Sequence, residues 1–244
     1  MKMSSFAGRT AKEILRDPLN LFFGLGFPVI LLLLLSAIQA KIPVPLFAIE
    51  SLTPGILVFG LSFMTLFAAT LVAKDRESAF LQRLYTTPLR AVDFICGYIL
   101  PLLPIALLQG AICCAAAFCL GLAVSVRVLF VLLLLLPTAL VFISLGVLCG
   151  SLLTVKQVGG ICGALLTNLT AWLSGAWFDL SLVGGAFERI ATLLPFAHAV
   201  EMERAVLAGN AAGIFPHLWW VLGYMVAATL GAVLLFLRQM RHTK

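Results

Sequence analysis

Long apolar blocks separated by short charged stretches are the feature that most constrains this chain. Hydrophobic residues fill 62% of the 244 positions and charged residues only 11%, whereas soluble domains contain about 45–50% and about 25%. The apolar residues fall in runs of about 20, the length that an α-helix needs to cross a bilayer. The sequence therefore predicts an all-α polytopic membrane protein and excludes a soluble globular domain.

Six of these blocks are long enough to span a membrane. Their predicted bounds are Leu19–Ala40, Leu52–Ala73, Val92–Val124, Val128–Thr154, Val158–Phe178 and Leu218–Leu237. The third and fourth blocks exceed the length needed, so we expect them to tilt or to project from the bilayer. Residues 19–244 are thus predicted to form one six-span domain with two long connections, at residues 74–91 and 179–217.

Basic residues are distributed unevenly between the two sides of the predicted spans. Twelve of the 16 Lys and Arg residues lie on the side that carries both termini and the 74–91 loop, and four lie on the other side. Because Lys and Arg favour the cytoplasmic side, both termini are predicted to be cytoplasmic and the 179–217 segment external. The basic residues flank apolar blocks instead of lining one patch, so no nucleic-acid partner is expected.

Residues 1–18 are predicted to form an amphipathic helix that lies in the headgroup plane and contacts membrane lipids. Its apolar face consists of Phe6, Ala7, Thr10, Ala11, Ile14 and Leu15. The opposite face carries Arg9, Lys12, Glu13 and Arg16. Pro18 disfavours the α conformation at Asp17 and should end this helix. A cleaved signal peptide fits poorly, since the apolar run after Pro18 is too long.

Ionisable side chains are absent from the middle of every predicted span. Ion-coupled transporters normally need an intramembrane acid or base, so the energy for active transport is expected to come from elsewhere. The sequence lacks the G-x-x-x-x-G-K-[ST] loop that holds nucleotide phosphates. No cofactor is therefore expected on this chain. The glycines Gly159 and Gly163, spaced as G-x-x-x-G, predict close helix packing instead.

An enzymatic role has only weak support in the sequence. The six cysteines lie in apolar blocks without metal or redox spacing, so no metal site is expected. His198 and Glu201 lie one helical turn apart, but a catalytic zinc needs three protein ligands. No catalytic residue is predicted, and a hydrogen-bonded cluster is favoured. A membrane enzyme or scaffold built around His198 and Glu201 stays open as an alternative.

The 74–91 loop carries a second amphipathic helix, predicted at Glu77–Tyr85. Its apolar face consists of Phe80, Leu81, Leu84 and Tyr85, and Arg83 lies off that face. A short helix held between two spans can enter a groove on a soluble motor protein. The pattern also allows a helix that rests on lipid headgroups.

Four motifs resemble the permeases of ABC type-2 exporters. They are Leu52-Thr-Pro-Gly55-Ile-Leu, Asp75-Arg-Glu-Ser78 with Gln82-Arg-Leu-Tyr-Thr-Thr-Pro88, Leu173-Ser-Gly175-Ala-Trp-Phe178, and Leu194-Pro-Phe196-Ala-His-Ala-Val-Glu201 with Arg204. They occur in the order of that family along nearly the whole chain. Three departures are Ser78-Ala79 in place of Gly-Thr, Gln82 in place of an acid, and Asp179 in place of a proline.

The resemblance implies a dimer of six-span permease subunits in a bacterial cytoplasmic (inner) membrane, bound to an ABC ATPase subunit that holds ATP and Mg. The coupling residues on the ATPase would be Glu77, Phe80, Leu81, Arg83, Leu84 and Tyr85. The interfacial helix would contribute Arg9, Lys12 and Arg16. Short re-entrant helices before the last span would form an outer gate with Ser174, Asp179, His198 and Glu201.

The second span suggests the kind of substrate. Phe59, Phe63 and Phe67 form a stripe at i, i+4 and i+8, and Thr167 and Asn168 are neutral polar groups at depth in the fifth span. We expect these residues to line the path of an amphipathic molecule, such as a drug, a lipid-like compound or a glycolipid. The same stripe is also typical of protein core or a lipid-facing surface. A polysaccharide exporter of the same family stays open.

Overall fold

The computed structural model describes residues 3–78, 80 and 91–242, and the regular elements of this part are all helical. The helices are α1 (Met3–Leu15), α2 (Pro18–Gln39), α3 (Ile49–Glu77), α4 (Ala91–Cys119), α5 (Arg127–Leu152), α6 (155–173), α7 (Gly185–Leu193), α8 (Pro195–Ala208) and α9 (Ala211–His242). A 3₁₀ turn precedes α7, and α2 and α6 each contain a π-helical stretch. The all-α prediction is confirmed.

Five of the described helices, α2, α3, α4, α5 and α9, are long and apolar enough to cross a membrane. The sequence predicted six such spans. The predicted Val158–Phe178 corresponds to α6, which ends at Leu173 because the chain turns at Gly175, where φ is +70°. The predicted Val92–Val124 is likewise too long. Helix α4 ends at Cys119, and Gly121 then adopts a φ of +105°, a conformation that glycine adopts at little cost.

Helix α3 is the centre of the bundle. Its most apolar stretch is 89% buried, compared with 17% for α2 and 22% for α9. Helix α5 crosses it at Gly146 and Gly150, where a Cβ would collide with the carbonyl oxygens of Thr65 and Ala69. The Thr65 hydroxyl also donates to the Phe142 carbonyl at 2.7 Å. Small residues therefore bring the two backbones into contact, as in other membrane helices.

The predicted close packing at Gly159 and Gly163 is not what the described residues show. A Cβ on Gly159 would meet open space, and one on Gly163 would lie at ordinary van der Waals distance from the Leu66 side chain. The pair Gly146 and Gly150 has the same spacing and makes the close contact instead. Spacing alone did not distinguish the two pairs.

The two segments outside the long helices follow the predicted pattern. Helix α1 buries Phe6, Thr10 and Ile14 of its predicted apolar face, and Phe6 packs on Tyr98 of α4 and not on lipid. Leu15 was placed on the same face but is 67% exposed, because α1 ends there. In the 179–217 segment, α7 and α8 are separated at Pro195, which begins α8. We call α7 and α8 the hairpin.

Candidate coupling site at the α1 end of the bundle

An ion pair between the half-buried Arg9 and the buried Asp75 joins α1 to the end of α3. Arg9 donates through Nη1 and Nη2 to the two carboxylate oxygens of Asp75, at 2.7 and 2.6 Å. The hydroxyl of Tyr98 on α4 donates to Oδ2 of Asp75 at 2.7 Å. The Asp75 side chain is only 3% exposed, so these bonds compensate for the loss of water around the carboxylate. Hydrogen bonding to Asp75 raises the pKa of Arg9.

An aromatic cluster packs beside this ion pair. The ring centroid of Phe6 lies 5.0 Å from that of Tyr98 and 6.4 Å from that of Phe80. Gly97 on α4 leaves room for Phe6, since a Cβ at Gly97 would collide with the ring. The guanidinium carbon of Arg9 lies 4.0 Å from the centroid of the Phe80 ring, a cation–π arrangement. We name the ion pair and the aromatic cluster together the latch.

A second set of contacts joins α3 to the turn between α5 and α6. Arg76 donates to the carbonyls of Ser151 and Leu153, the latter at 2.6 Å. Glu77 accepts from the backbone N–H of Val155 at 2.8 Å. The Ser151 carbonyl also accepts from the amide of Gln239 on α9 at 2.7 Å. The end of α3 is therefore connected to α1, α4, α5, α6 and α9.

The predicted coupling residues and interfacial-helix residues divide into four groups. Phe80 and Arg9 belong to the latch, and Glu77 bonds the α6 turn. Lys12 and Arg16 are exposed on α1. The other predicted coupling residues, Leu81, Arg83, Leu84 and Tyr85, lie outside the described residues. Asp75 and Tyr98 were not predicted as site residues.

The predicted substrate-path phenylalanines are buried between α2 and α3. Phe59 lies 5.3 Å from the ring of Trp177, and Phe63 lies 5.8 Å from the ring of Phe27 on α2. The Phe67 ring fills the space above Gly24. These three side chains are at most 6% exposed. In this conformation they form a packed layer within the chain.

Two further predicted path residues bond to their own helix. The Thr167 hydroxyl donates to the Cys162 carbonyl at 3.2 Å, and the Asn168 amide donates to the Ala164 carbonyl at 2.8 Å. Asn168 is exposed, whereas Thr167 is half-buried. Both bonds stay within α6, so neither residue ties this helix to a neighbour.

At the opposite end of the bundle, His198 links the hairpin to α9. Its Nε2 donates to the Thr192 carbonyl at 2.9 Å, and its Nδ1 lies 2.8 Å from Nδ1 of His217. The imidazole stacks on Trp220 with centroids 4.9 Å apart. Burial lowers the pKa of His198. Among the described residues, no group of three or more His, Cys, Asp and Glu side chains is arranged to hold a metal ion.

Arg204 connects the hairpin to two other elements at the same end of the bundle. It pairs with Glu201 at 2.7 Å and donates to the carbonyls of Ser51 at 3.2 Å and Gly175 at 2.8 Å. The hairpin is thereby fixed to the start of α3 and to the end of α6. The family motif included Arg204, but its role as the connector was not predicted.

The remaining gate residues cap turns. Ser174 Oγ accepts from the N–H of Ala176 at 3.2 Å. Asp179 accepts from the N–H of Ser181 at 3.0 Å, and this bond lowers the pKa of Asp179. Ser174 lies beside Gly175, whose carbonyl Arg204 binds. Three of the four predicted gate residues thus lie around Arg204 and its hairpin, and Asp179 lies in the turn that precedes it.

Comparison with known proteins identifies the family of this chain. The family model for the ABC-2 type transporter matches residues 2–208, a range that includes α1, the 74–91 loop and the hairpin. Comparison with curated protein sequences finds no match. The family match spans well over half of the chain and both ends of the bundle. The chain therefore belongs to the ABC-2 type transporter family.

Proposed function

We propose that this chain is the permease subunit of an ATP-driven exporter that moves an amphipathic substrate outward across a bacterial cytoplasmic membrane. Family membership makes it a membrane subunit of an ABC transporter. ATP and Mg would bind to a separate ATPase subunit. The 12-to-4 distribution of basic residues supports cytoplasmic termini, with the latch on the ATPase side.

The observation that carries the coupling proposal is the latch. The 74–91 loop follows α3 directly, and Arg9, Asp75 and Tyr98 fasten α3 to α1 and α4 at that point. A force applied to the loop would therefore move three helices as one unit instead of bending the loop alone. Such a rigid-body shift is one of the established ways to switch a protein between two states. In our proposal the Glu77–Tyr85 segment enters a groove on the ATPase.

A second permease copy is proposed to complete the transport path. Helices α2 and α9 have only 17% and 22% of their most apolar stretches buried within the chain. Packing between membrane helices needs a partner surface, which lipid or another subunit supplies. The substrate would pass between the two copies.

An open cavity on α9 supports an amphipathic substrate. It measures about 410 Å³ and is lined by Trp219, Trp220, Gly223, Tyr224 and Ala227. Indole and phenol rings combine a large apolar surface with one polar group. A drug or lipid-like molecule would find both kinds of contact there.

Two variants test the coupling proposal in one assay, with the cognate ATPase co-expressed and substrate-stimulated ATP hydrolysis measured. Leu84→Asp places an unpaired carboxylate in the proposed apolar contact, which costs several kcal/mol and should abolish ATPase binding. Asp75→Asn should leave ATPase binding nearly intact but remove the stimulation by substrate, because Arg9 loses its partner.

Leu84→Met is the matched control and should behave like the unmodified chain, since it conserves volume and polarity. Unchanged ATPase binding in Leu84→Asp would show that the loop rests on lipid headgroups instead. Normal stimulation in Asp75→Asn would show that the latch does not transmit the signal.

A further inference from the structure

A cleft lies between the end of α1, the start of α2 and the last turns of α3. Its volume is about 300 Å³. The polar part of its wall includes Arg16, Lys74 and Asn20, and the apolar part includes Phe67 and Leu71. The cleft thus combines basic and apolar lining residues.

The two acidic residues that also line the cleft are engaged by other groups. Asp17 accepts from the backbone N–H and the side-chain amide of Asn20, at 3.2 and 2.7 Å. Glu13 lies 2.9 Å from the guanidinium of Arg9. Within the described part of the chain, by contrast, Arg16 and Lys74 make no ion pair. Asp17 keeps its charge beside the neutral Asn20, so the cleft is lined by two acids and two bases, and Arg16 and Lys74 are the lining groups left to pair with an anion.

The surroundings of the cleft point to a lipid. Leu19 and Phe22 of α2 are close in sequence to the lining residues Pro18 and Asn20 and are 66% and 53% exposed, as expected for side chains in contact with acyl chains. Helix α1 is amphipathic and would lie at the level of the headgroups. A phosphate at Arg16 and Lys74 would therefore lie at headgroup depth, with apolar wall continuing along α3.

We propose that this cleft binds the headgroup phosphate of an anionic glycerophospholipid, with Arg16 and Lys74 holding the phosphate and Phe67 and Leu71 contacting the adjoining acyl chain. Basic pockets between membrane helices recognise anionic headgroups through the same charges. Free phosphate shares the charge but not the apolar contact, so a lipid is the ligand that uses the whole cleft.

Lipid titration of the purified chain in neutral detergent tests this proposal. Dioctanoyl-phosphatidylglycerol is expected to bind more tightly than dioctanoyl-phosphatidylcholine. The double variant Arg16→Gln/Lys74→Gln should weaken phosphatidylglycerol binding on the order of 30-fold, from the typical contribution of two basic residues near an anionic lipid. Binding of phosphatidylcholine should not change.

A matched control removes the same net charge elsewhere. Lys156 and Arg238 are exposed basic residues at the same end of the bundle and outside the cleft, so Lys156→Gln/Arg238→Gln should keep the phosphatidylglycerol affinity. The charge reversal Lys74→Glu should abolish the preference for phosphatidylglycerol. Melting temperatures of all variants confirm that they are folded.

Four results would overturn the proposal. One is equal affinity for the two lipids, and another is equal loss of binding in the cleft variant and the matched control. The third is displacement of phosphatidylglycerol by millimolar inorganic phosphate, which would identify the ligand as a free anion. The fourth is retained selectivity for phosphatidylglycerol in Arg16→Gln/Lys74→Gln.

Discussion

At the scale of single residues, two buried carboxyl groups have opposite surroundings. Asp75 accepts three side-chain hydrogen bonds from Arg9 and Tyr98. Glu203 on α8 is 0% exposed, and neither of its carboxyl oxygens has a hydrogen-bond partner among the described residues. Burial raises the pKa of Glu203 well above its usual 4.5. A buried ionised carboxylate without a partner is costly, so folding favours the protonated form of Glu203.

This difference predicts how stability depends on pH. Between the unfolded pKa of Glu203 and its higher folded pKa, the folded state binds a proton that the unfolded state has lost, so stability falls as pH rises above about 4.5. Glu203→Gln removes the titrating group. It should raise the melting temperature at pH 8 by a few degrees, which corresponds to a gain of about 1 kcal/mol in the free energy of unfolding. At pH 4.5 the two proteins should melt alike.

Thermal unfolding of the detergent-solubilised protein measures this effect. Glu50→Gln is the matched control, because Glu50 is exposed and the substitution should not change the pH profile. Identical melting curves for Glu203→Gln and the unmodified chain at pH 8 would contradict the assignment of a buried neutral acid.

The contact partners of individual side chains were the hardest feature to predict from the sequence. The helical pattern placed Arg9 on the polar face of α1, but Arg9 pairs with the buried Asp75 and lies over the Phe80 ring, beside Phe6. The pattern did not identify Asp75, which is 66 positions away, because periodicity shows which face a residue occupies but not what packs against that face. Glu203 was missed for the same reason, since its burial depends on how the hairpin packs.

At the scale of helices, glycines decide where elements approach and end. The apolar pattern predicted five spans correctly in type and order, and its sixth, Val158–Phe178, corresponds to the shorter α6. It overestimated the lengths of α4 and α6, because Gly121 and Gly175 turn the chain while the apolar composition continues. It also selected Gly159 and Gly163 for close packing, whereas Gly146 and Gly150 make it. Hydropathy reports neither a positive φ nor the neighbour of a glycine.

Docking of α1 on α4 depends on one such glycine. Gly97→Ala would place a Cβ into the Phe6 ring, and overpacking of this kind typically costs about 1–3 kcal/mol. We expect a lower melting temperature and faster proteolysis of α1. Phe6→Ala combined with Gly97→Ala should cost less than the sum of the two single substitutions, because the collision disappears.

Gly8→Ala controls for the effect of alanine itself. A Cβ on Gly8, on the same helix as Phe6, would meet nothing within 4 Å. Alanine also favours helix by about 1 kcal/mol over glycine, so Gly8→Ala should stabilise the protein or leave it unchanged. Additive effects of Phe6→Ala and Gly97→Ala would mean that the two residues do not pack together.

At the scale of the whole molecule, α3 is hydrogen-bonded to other elements of the bundle at both of its ends. Asp75 and Arg76 tie its last turns to α1, α4 and the α6 turn. At its first turn, the carbonyl of Ser51 accepts from Arg204 of the hairpin. A displacement of the 74–91 loop can therefore reach the hairpin through one buried helix. This gives the proposed ATPase coupling a mechanical route to the opposite face of the membrane.

That route requires the latch and the hairpin to face opposite compartments, which cysteine labelling can test. Ser78 follows α3 at the latch end and Ser181 precedes the hairpin, and both are exposed. In intact cells, on a background without the six native cysteines, a membrane-impermeant maleimide should label Ser181→Cys but not Ser78→Cys. The basic asymmetry motivates this orientation.

Two controls make the labelling decisive. Restoring the native Cys119, which is exposed at the hairpin side of α4, should give the same label as Ser181→Cys. Permeabilised cells should label Ser78→Cys as well, showing that its protection came from the membrane and not from burial. The reverse pattern in intact cells would place Arg9 and Asp75 outside the cell, where a cytoplasmic ATPase could not reach the loop that follows α3, and the proposed coupling would fail.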